Sequence, residues 1–265
     1  MSKKLIIIVL LLITYVFVFS QDFEKIKNSA EQGNAINQLR LGALYYESVM
    51  VPKDLEKAFY WVKKSANQDD SDAQFLLGTM YIYGEGTLID NKKAFYWIEK
   101  SAEQGVSTAQ YFLGGMYRNG IGTLTDKQQT FHWFKQSAES GHDKAQFELS
   151  LLYYTGEGIL TDPKKSIYWL KQSAESGLAI AQFKLSVLYR VGEGILTDKR
   201  KSIYWLNKSA EQDYAEAQYL LGSAYYNGDG VLIDKKKAAY WTRKAYENGL
   251  EVAKKQWDEY ELWKY

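Results

Sequence analysis

The chain has 265 residues, with 33 Lys plus Arg against 32 Asp plus Glu, two His and no Cys. The near-neutral balance excludes a strongly basic nucleic-acid surface in bulk. The missing Cys excludes disulfides, thiolate catalysis, cysteine-ligated zinc and the modified cysteine of a bacterial lipoprotein. Aromatic residues make up 15% of the chain while Pro occurs only twice, which favours packed helices over linkers and disorder.

At the start, Lys3 and Lys4 precede an apolar stretch from Leu5 to Phe19, closed by Ser20 ahead of Gln21 and Asp22. That order reads residues 1–20 as a secretory signal peptide, with cleavage after Ser20. The competing reading is an uncleaved tether; the stretch is shorter than the roughly 20 residues a span usually needs, although a thin bilayer accommodates less. In both readings the two lysines stay inside and the body is exported, so the expected location is secreted or periplasmic. Cleavage leaves 31 basic and 32 acidic side chains.

The rest is organised by a period. Trp recurs at Trp61, Trp97, Trp133, Trp169, Trp205 and Trp241, and Asp at Asp54, Asp90, Asp126, Asp162, Asp198 and Asp234, both with a step of 36 residues. Such registration defines a repeat array. In one unit, Asp72 to Tyr81 opens a helix with Ala73, Leu77, Met80 and Tyr81 on one face, and Gly84-Glu85-Gly86 ends it. A second helix is predicted from about Asn91 to Gln104, with Ala94, Trp97, Ile98 and Ala102 on one face and Gly105 as its stop.

Asp90 stands where it caps the second helix, and Asp162 is followed by Pro163, which suits a first helical position. Gly42, Gly78, Gly114, Ser150, Ser186 and Gly222 form a column inside the first helices. Gly costs about 0.8–1 kcal/mol there relative to Ala, so its recurrence marks close helix approach. Each helix pair has more apolar surface than it buries alone, so neighbours are expected to stack into one continuous elongated core, with Trp and Tyr interlocking. Residues 21–36 supply a second helix without a first, as an N-terminal capping helix. The array occupies 37–249, and 250–265 form a C-terminal capping helix with Trp257 and Trp263.

The third unit runs from Ala109 to Gly122, then Asp126 to Trp133, then Ala138 to Gly141. With its copies it gives Ala-x-x-x-Leu-Gly-x-x-Tyr-x-x-Gly-x-Gly, then Asp, Lys-Ala-x-x-Trp and Ala-x-x-Gly. This pattern resembles the Sel1-like repeat, a relative of tetratricopeptide repeats. The resemblance implies an all-α fold, a right-handed αα-hairpin superhelix whose concave face binds proteins or peptides. It also implies an enzyme alternative, a cell-wall or β-lactam hydrolase, since such activity has been proposed for cysteine-rich secreted relatives. This chain lacks their cysteine pairs.

Faithful columns hold the fold, so recognition is sought in columns that vary. One first-helix column reads Arg40, Leu76, Phe112, Glu148, Lys184 and Leu220; another reads Tyr46, Ile82, Arg118, Tyr154, Arg190 and Tyr226. If first helices line the concave side, as the resemblance implies, these residues form a mixed aromatic and basic groove for an extended peptide. Rings would give area and Arg directed hydrogen bonds to carboxylates. The alternative is ordinary variable surface. The first unit also departs in its loop, Ser48-Val49-Met50-Val51 before Pro52, read as packing on the N-terminal cap or as a partner contact.

Other chemistry is weak. Gly84-Glu85-Gly86 lacks the strand and the following Lys-Ser/Thr of a phosphate loop and reads as a turn. Glu85, Glu157, Glu193 and Asp229 lack calcium-loop spacing. His132 replaces a Tyr of its column and reads as packing, while His142 begins a helix. Ser173, Glu175 and Lys171 have counterparts such as Ser101 and Glu103, which argues against a single hydrolytic site. The expectation is therefore an exported scaffold with no cofactor and a protein or peptide partner. Nucleic acid is not expected, and membrane contact arises only through an uncleaved N-terminal segment, as a tethered structural protein.

Overall fold

The computed structural model describes residues 21–49 and 51–265, so the signal or tether reading of residues 1–20 lies outside the described residues. By contact density the chain divides into two compact units, one ending at Thr130 and one beginning at Phe131. The first holds helix α1 (residues 21–31), α2 (Ala35–Glu47), α3 (Leu55–Ala66), α4 (Ser71–Tyr83), α5 (Asn91–Glu103), α6 (Ser107–Asn119) and the start of α7 (Lys127–Glu139). The second holds the remainder of α7, α8 (Asp143–Thr155), α9 (Pro163–Glu175), α10 (Ala179–Val191), α11 (Lys199–Ala210), α12 (Ala215–Asn227), α13 (Lys235–Glu247), α14 (Glu251–Glu259) and a closing 3-10 turn, Leu262–Lys264.

Within the first unit α2 pairs with α3 and α4 with α5, while α3 meets α4 and α5 meets α6 across repeat boundaries. Within the second, α8–α9, α10–α11 and α12–α13 are the hairpins, and α9–α10, α11–α12 and α13–α14 are the junctions. Among the described residues every regular element is a helix. The fold is an all-α solenoid of helix pairs repeating every 36 residues.

Local chemistry sets the helix ends. Asp90 Oδ1 accepts from the Lys93 backbone N–H at 3.0 Å, and Asp54, Asp162, Asp198 and Asp234 do the same for the residue three positions on. The Asp90 backbone N–H in turn donates to the Tyr81 carbonyl at 3.0 Å, which closes the turn between the two helices. Asn34 caps α2 through the Asn37 N–H at 2.9 Å, which sets the start of that helix at Ala35.

Close approach explains two glycine columns. A Cβ on Gly78 would lie 2.5 Å from Ile98 Cγ1, and one on Gly42 would lie 2.7 Å from Val62 Cγ2, so the two helices of a hairpin touch backbone to side chain. Gly86 combines a left-handed φ of 68° with a second constraint: a Cβ there would overlap the Leu55 carbonyl oxygen. The second glycine of the turn, at Gly86, Gly122, Gly194 and Gly230, thus seats the loop against the preceding repeat's second helix.

The core of the second unit is a string of small clusters. Leu170, Ala174, Ala181, Leu185 and Tyr189 form one, and Leu206, Ala210, Ala217 and Leu221 the next. Trp205 packs on the first and Trp241 on the second, so each Trp covers the repeat before it. These rings are half-buried, not sealed. The fully buried second-helix positions are small or aliphatic instead, as with Ala94, Ile98 and Ser101. Each Trp presents its outer side to the preceding aromatic residue, with Tyr204 and Trp205 edge to face at 5.0 Å.

Candidate functional site

Two polar columns run through the helix pairs, and both serve the scaffold. Buried Gln182 donates to the Ala174 carbonyl at 3.1 Å and accepts from Gln212 at 2.8 Å. Gln38, Gln74, Gln110, Gln146 and Gln218 make the corresponding bond to the carbonyl eight residues back. Ser173 Oγ donates to the Asp143 carbonyl at 2.8 Å, matched by Ser65, Ser101 and Ser209 on Ala35, Ser71 and Ala179. A serine held this way pins the second helix to the start of the first, and its hydroxyl hydrogen already has an acceptor. This is the physical reason that Ser173, Glu175 and Lys171 do not make a nucleophilic set. The Gln column is equally periodic in the sequence, but a buried amide carries no apolar signature that would mark its role.

The variable first-helix residues fall into two groups. In the first unit Tyr46 is half-buried; its hydroxyl donates to Glu85 Oε2 at 2.8 Å, which raises its pKa above the ordinary phenol value, and Lys53 lies over its ring. Phe112 is half-buried and packs edge to face on Phe75 at 5.2 Å. Leu76 and Arg118 are half-buried, and Arg40 is exposed.

In the second unit Glu148 is half-buried, while Tyr154, Lys184 and Arg190 are exposed. Tyr226 departs from the expected groove: it stacks on Tyr260 with centroids 3.7 Å apart, and Lys235 Nζ sits over its ring. The C-terminal segment therefore covers this ring, which serves the cap. A small cleft of about 50 Å³ between α10, α11 and α12 brings Arg190 and Leu220 together with Ser202, Ser223, Asn227 and Asp229. Asp229 is paired with Lys199 at 2.7 Å. The cleft thus offers a guanidinium, hydroxyls and an amide beside an apolar wall, a donor-rich set suited to a carboxylate.

His132 is exposed and lies edge to face with Trp133 at 5.0 Å. His142 is the N-cap of α8, its Nδ1 accepting from the Ala145 N–H at 3.2 Å, and burial lowers its pKa from the ordinary imidazole value. Among the described residues no group of three or more His, Cys, Asp or Glu is arranged to hold a metal ion.

The Sel1 repeat pattern matches residues 38–70, 71–106, 107–142, 143–178, 179–214 and 215–250. The chain belongs to the Sel1 repeat family. Five of the matched Sel1 repeats begin at the first residues of α4, α6, α8, α10 and α12, so the family unit coincides with the helix pair. Among solved structures, the chain is similar to a protective antigen present in uropathogenic Escherichia coli strains and displaying an SLR fold. Identity is 33% over 87% of this chain, with a TM-score of 0.82, and the chain spans 50% of that protein's length. A Sel1 repeat protein from Oxalobacter formigenes is 29% identical over 92% of this chain and 81% of its own, with a TM-score of 0.63. The search of curated proteins gave no match. Sel1 and tetratricopeptide-like solenoids in general mediate protein–protein interactions through surfaces assembled from successive repeats.

Proposed function

We propose that this Sel1 protein is an exported interaction module whose first-helix face in the second unit binds a protein or peptide, with an acidic group of the partner at Arg190. The observation that carries this reading is the cleft at Arg190, where an exposed guanidinium faces Ser223, Asn227 and the apolar Leu220 side chain. Tyr154 and Lys184, exposed on α8 and α10, extend the surface with a ring and a second cation. Stacked helix pairs order these groups before binding, which lowers the entropy lost on association.

Export rests on the basic and apolar order of residues 3–19. Similarity to a protein described as a protective antigen supports a place where antibodies reach the chain. The hydrolase alternative draws only on family analogy.

Site-specific photocrosslinking in intact cells tests the binding face. Crosslinkers placed at Tyr154 and Arg190 are expected to capture the same partner, whereas one at Tyr168 on α9 captures none. The pair Lys184→Glu and Arg190→Glu should abolish capture from position 154 while leaving helical content unchanged. Capture from 168 alone, or capture from 154 that survives charge reversal, refutes the assignment.

A further inference from the structure

Leucine recurs in the turn between the two helices in five of the six repeats, at Leu88, Leu124, Leu160, Leu196 and Leu232, and the fold does not bury it. In the second unit Leu160 is 91% exposed, Leu196 89% and Leu232 90%, values that place nearly the whole side chain in water. Neighbouring turn residues do the structural work: Asp198 caps α11, and Gly194 and Gly230 approach Ile167 and Ile203 of the preceding repeats. The leucine packs against nothing, and its recurrence needs another cause.

These contacts also set the turns in a row. The turn holding Leu196 rests on the start of α9, next to the turn holding Leu160. The turn holding Leu232 rests on the start of α11 and is tied there by Lys199 and Asp229. The leucines therefore line one edge of the unit, one per repeat.

In the second unit a cation follows each leucine by four residues: Lys164, Arg200 and Lys236, all exposed. The capping acids are engaged elsewhere, Asp162 with Lys165, Asp198 with Lys201 and Asp234 with Lys237, at 3.5–3.9 Å. Among the described residues no acidic group lies within ion-pair distance of Lys164, Arg200 or Lys236. The edge thus repeats one bare apolar tip and one uncompensated cation.

We propose that this edge of the second unit rests on an anionic lipid bilayer, with Leu160, Leu196 and Leu232 entering the headgroup boundary and Lys164, Arg200 and Lys236 meeting lipid phosphates. Apolar tips followed by Thr161-Asp162 and Thr197-Asp198 in two turns, and widened by the exposed Ile233 in the third, suit a fluid interface that closes around each one, and the matching cations supply charge complementarity to anionic headgroups. No span is required, in keeping with the finding that no described helix is long and apolar enough to cross a membrane.

The chain has no Cys, so one introduced Cys takes a single label. Full-length Leu196→Cys carrying an environment-sensitive fluorophore is mixed with phosphatidylglycerol vesicles, beside a Lys208→Cys control at the far end of α11. Blue-shifted emission and quenching by nitroxide lipids are expected at 196 and not at 208. The apparent affinity read at 196 should fall roughly tenfold or more with phosphatidylcholine alone, or with Lys164→Glu, Arg200→Glu and Lys236→Glu combined. The proposal is overturned by equal shifts at both sites, as membrane recruitment through residues 1–20 alone would give. It is also overturned by a shift that needs no vesicles and grows with protein concentration, the mark of self-association, or by no shift at 196.

Discussion

Replacing Gly86 with alanine separates two demands that the turn makes on one residue. The left-handed φ of 68° is strained for an L side chain and costs about 1–2 kcal/mol. The added methyl also overlaps the Leu55 carbonyl oxygen, and because backbone has to move, a further cost of about 1–3 kcal/mol follows. Gly105 is the control: its φ is 89°, but a Cβ there meets nothing within 4 Å, so Gly105→Ala should cost only about 1–2 kcal/mol. Urea unfolding followed by both far-UV circular dichroism and Trp fluorescence gives the two losses on one scale. Gly86→Ala should exceed Gly105→Ala by at least about 1 kcal/mol. Losses equal to within about 0.5 kcal/mol would show that the turn does not bear on the neighbouring repeat.

Three further outcomes are expected. Trp205→Ala should cost about 1.5–3 kcal/mol in urea unfolding, below the roughly 3–5 kcal/mol of a sealed Trp, because its ring is half-buried. Ser173→Ala should cost about 0.5–1.5 kcal/mol, since it removes the second donor to the Asp143 carbonyl, which keeps its intrahelical partner; a neutral result would remove the serine column from the scaffold. Stability should also depend on acidity in two windows. The folded pKa of His142 lies below its unfolded value of about 6.5, so its contribution is full above that pH and is lost as pH falls through the folded value. The Asp90 and Asp162 carboxylates are held below the usual range chiefly by the Lys93 and Lys165 backbone N–H groups; their contribution is lost only at lower pH, below about 3.9. His142→Asp, which restores the capping type found at Asp70, should flatten the upper window alone in pH-dependent unfolding.

The sequence by itself determined what depends on chain-local physics. A 36-residue step, an apolar face at helical spacing, Asp ahead of each second helix and Gly after five of the six first ones together specify helix pairs, their limits and the family. Tertiary structure decided whatever depends on residues one repeat away. Gly86 reads as a flexible turn residue until Leu55 is found against it, and Ser173 reads as a hydroxyl like any other until the Asp143 carbonyl is found in front of it. Tyr226 was legible as a variable position, but its stacking on Tyr260 follows from the C-terminal segment folding back across α12 and α13. The half-burial of Trp and the near-complete exposure of Leu196 are likewise absent from periodicity, because a repeating pattern marks a position as constrained without saying whether the constraint is a neighbour in the fold or something outside it.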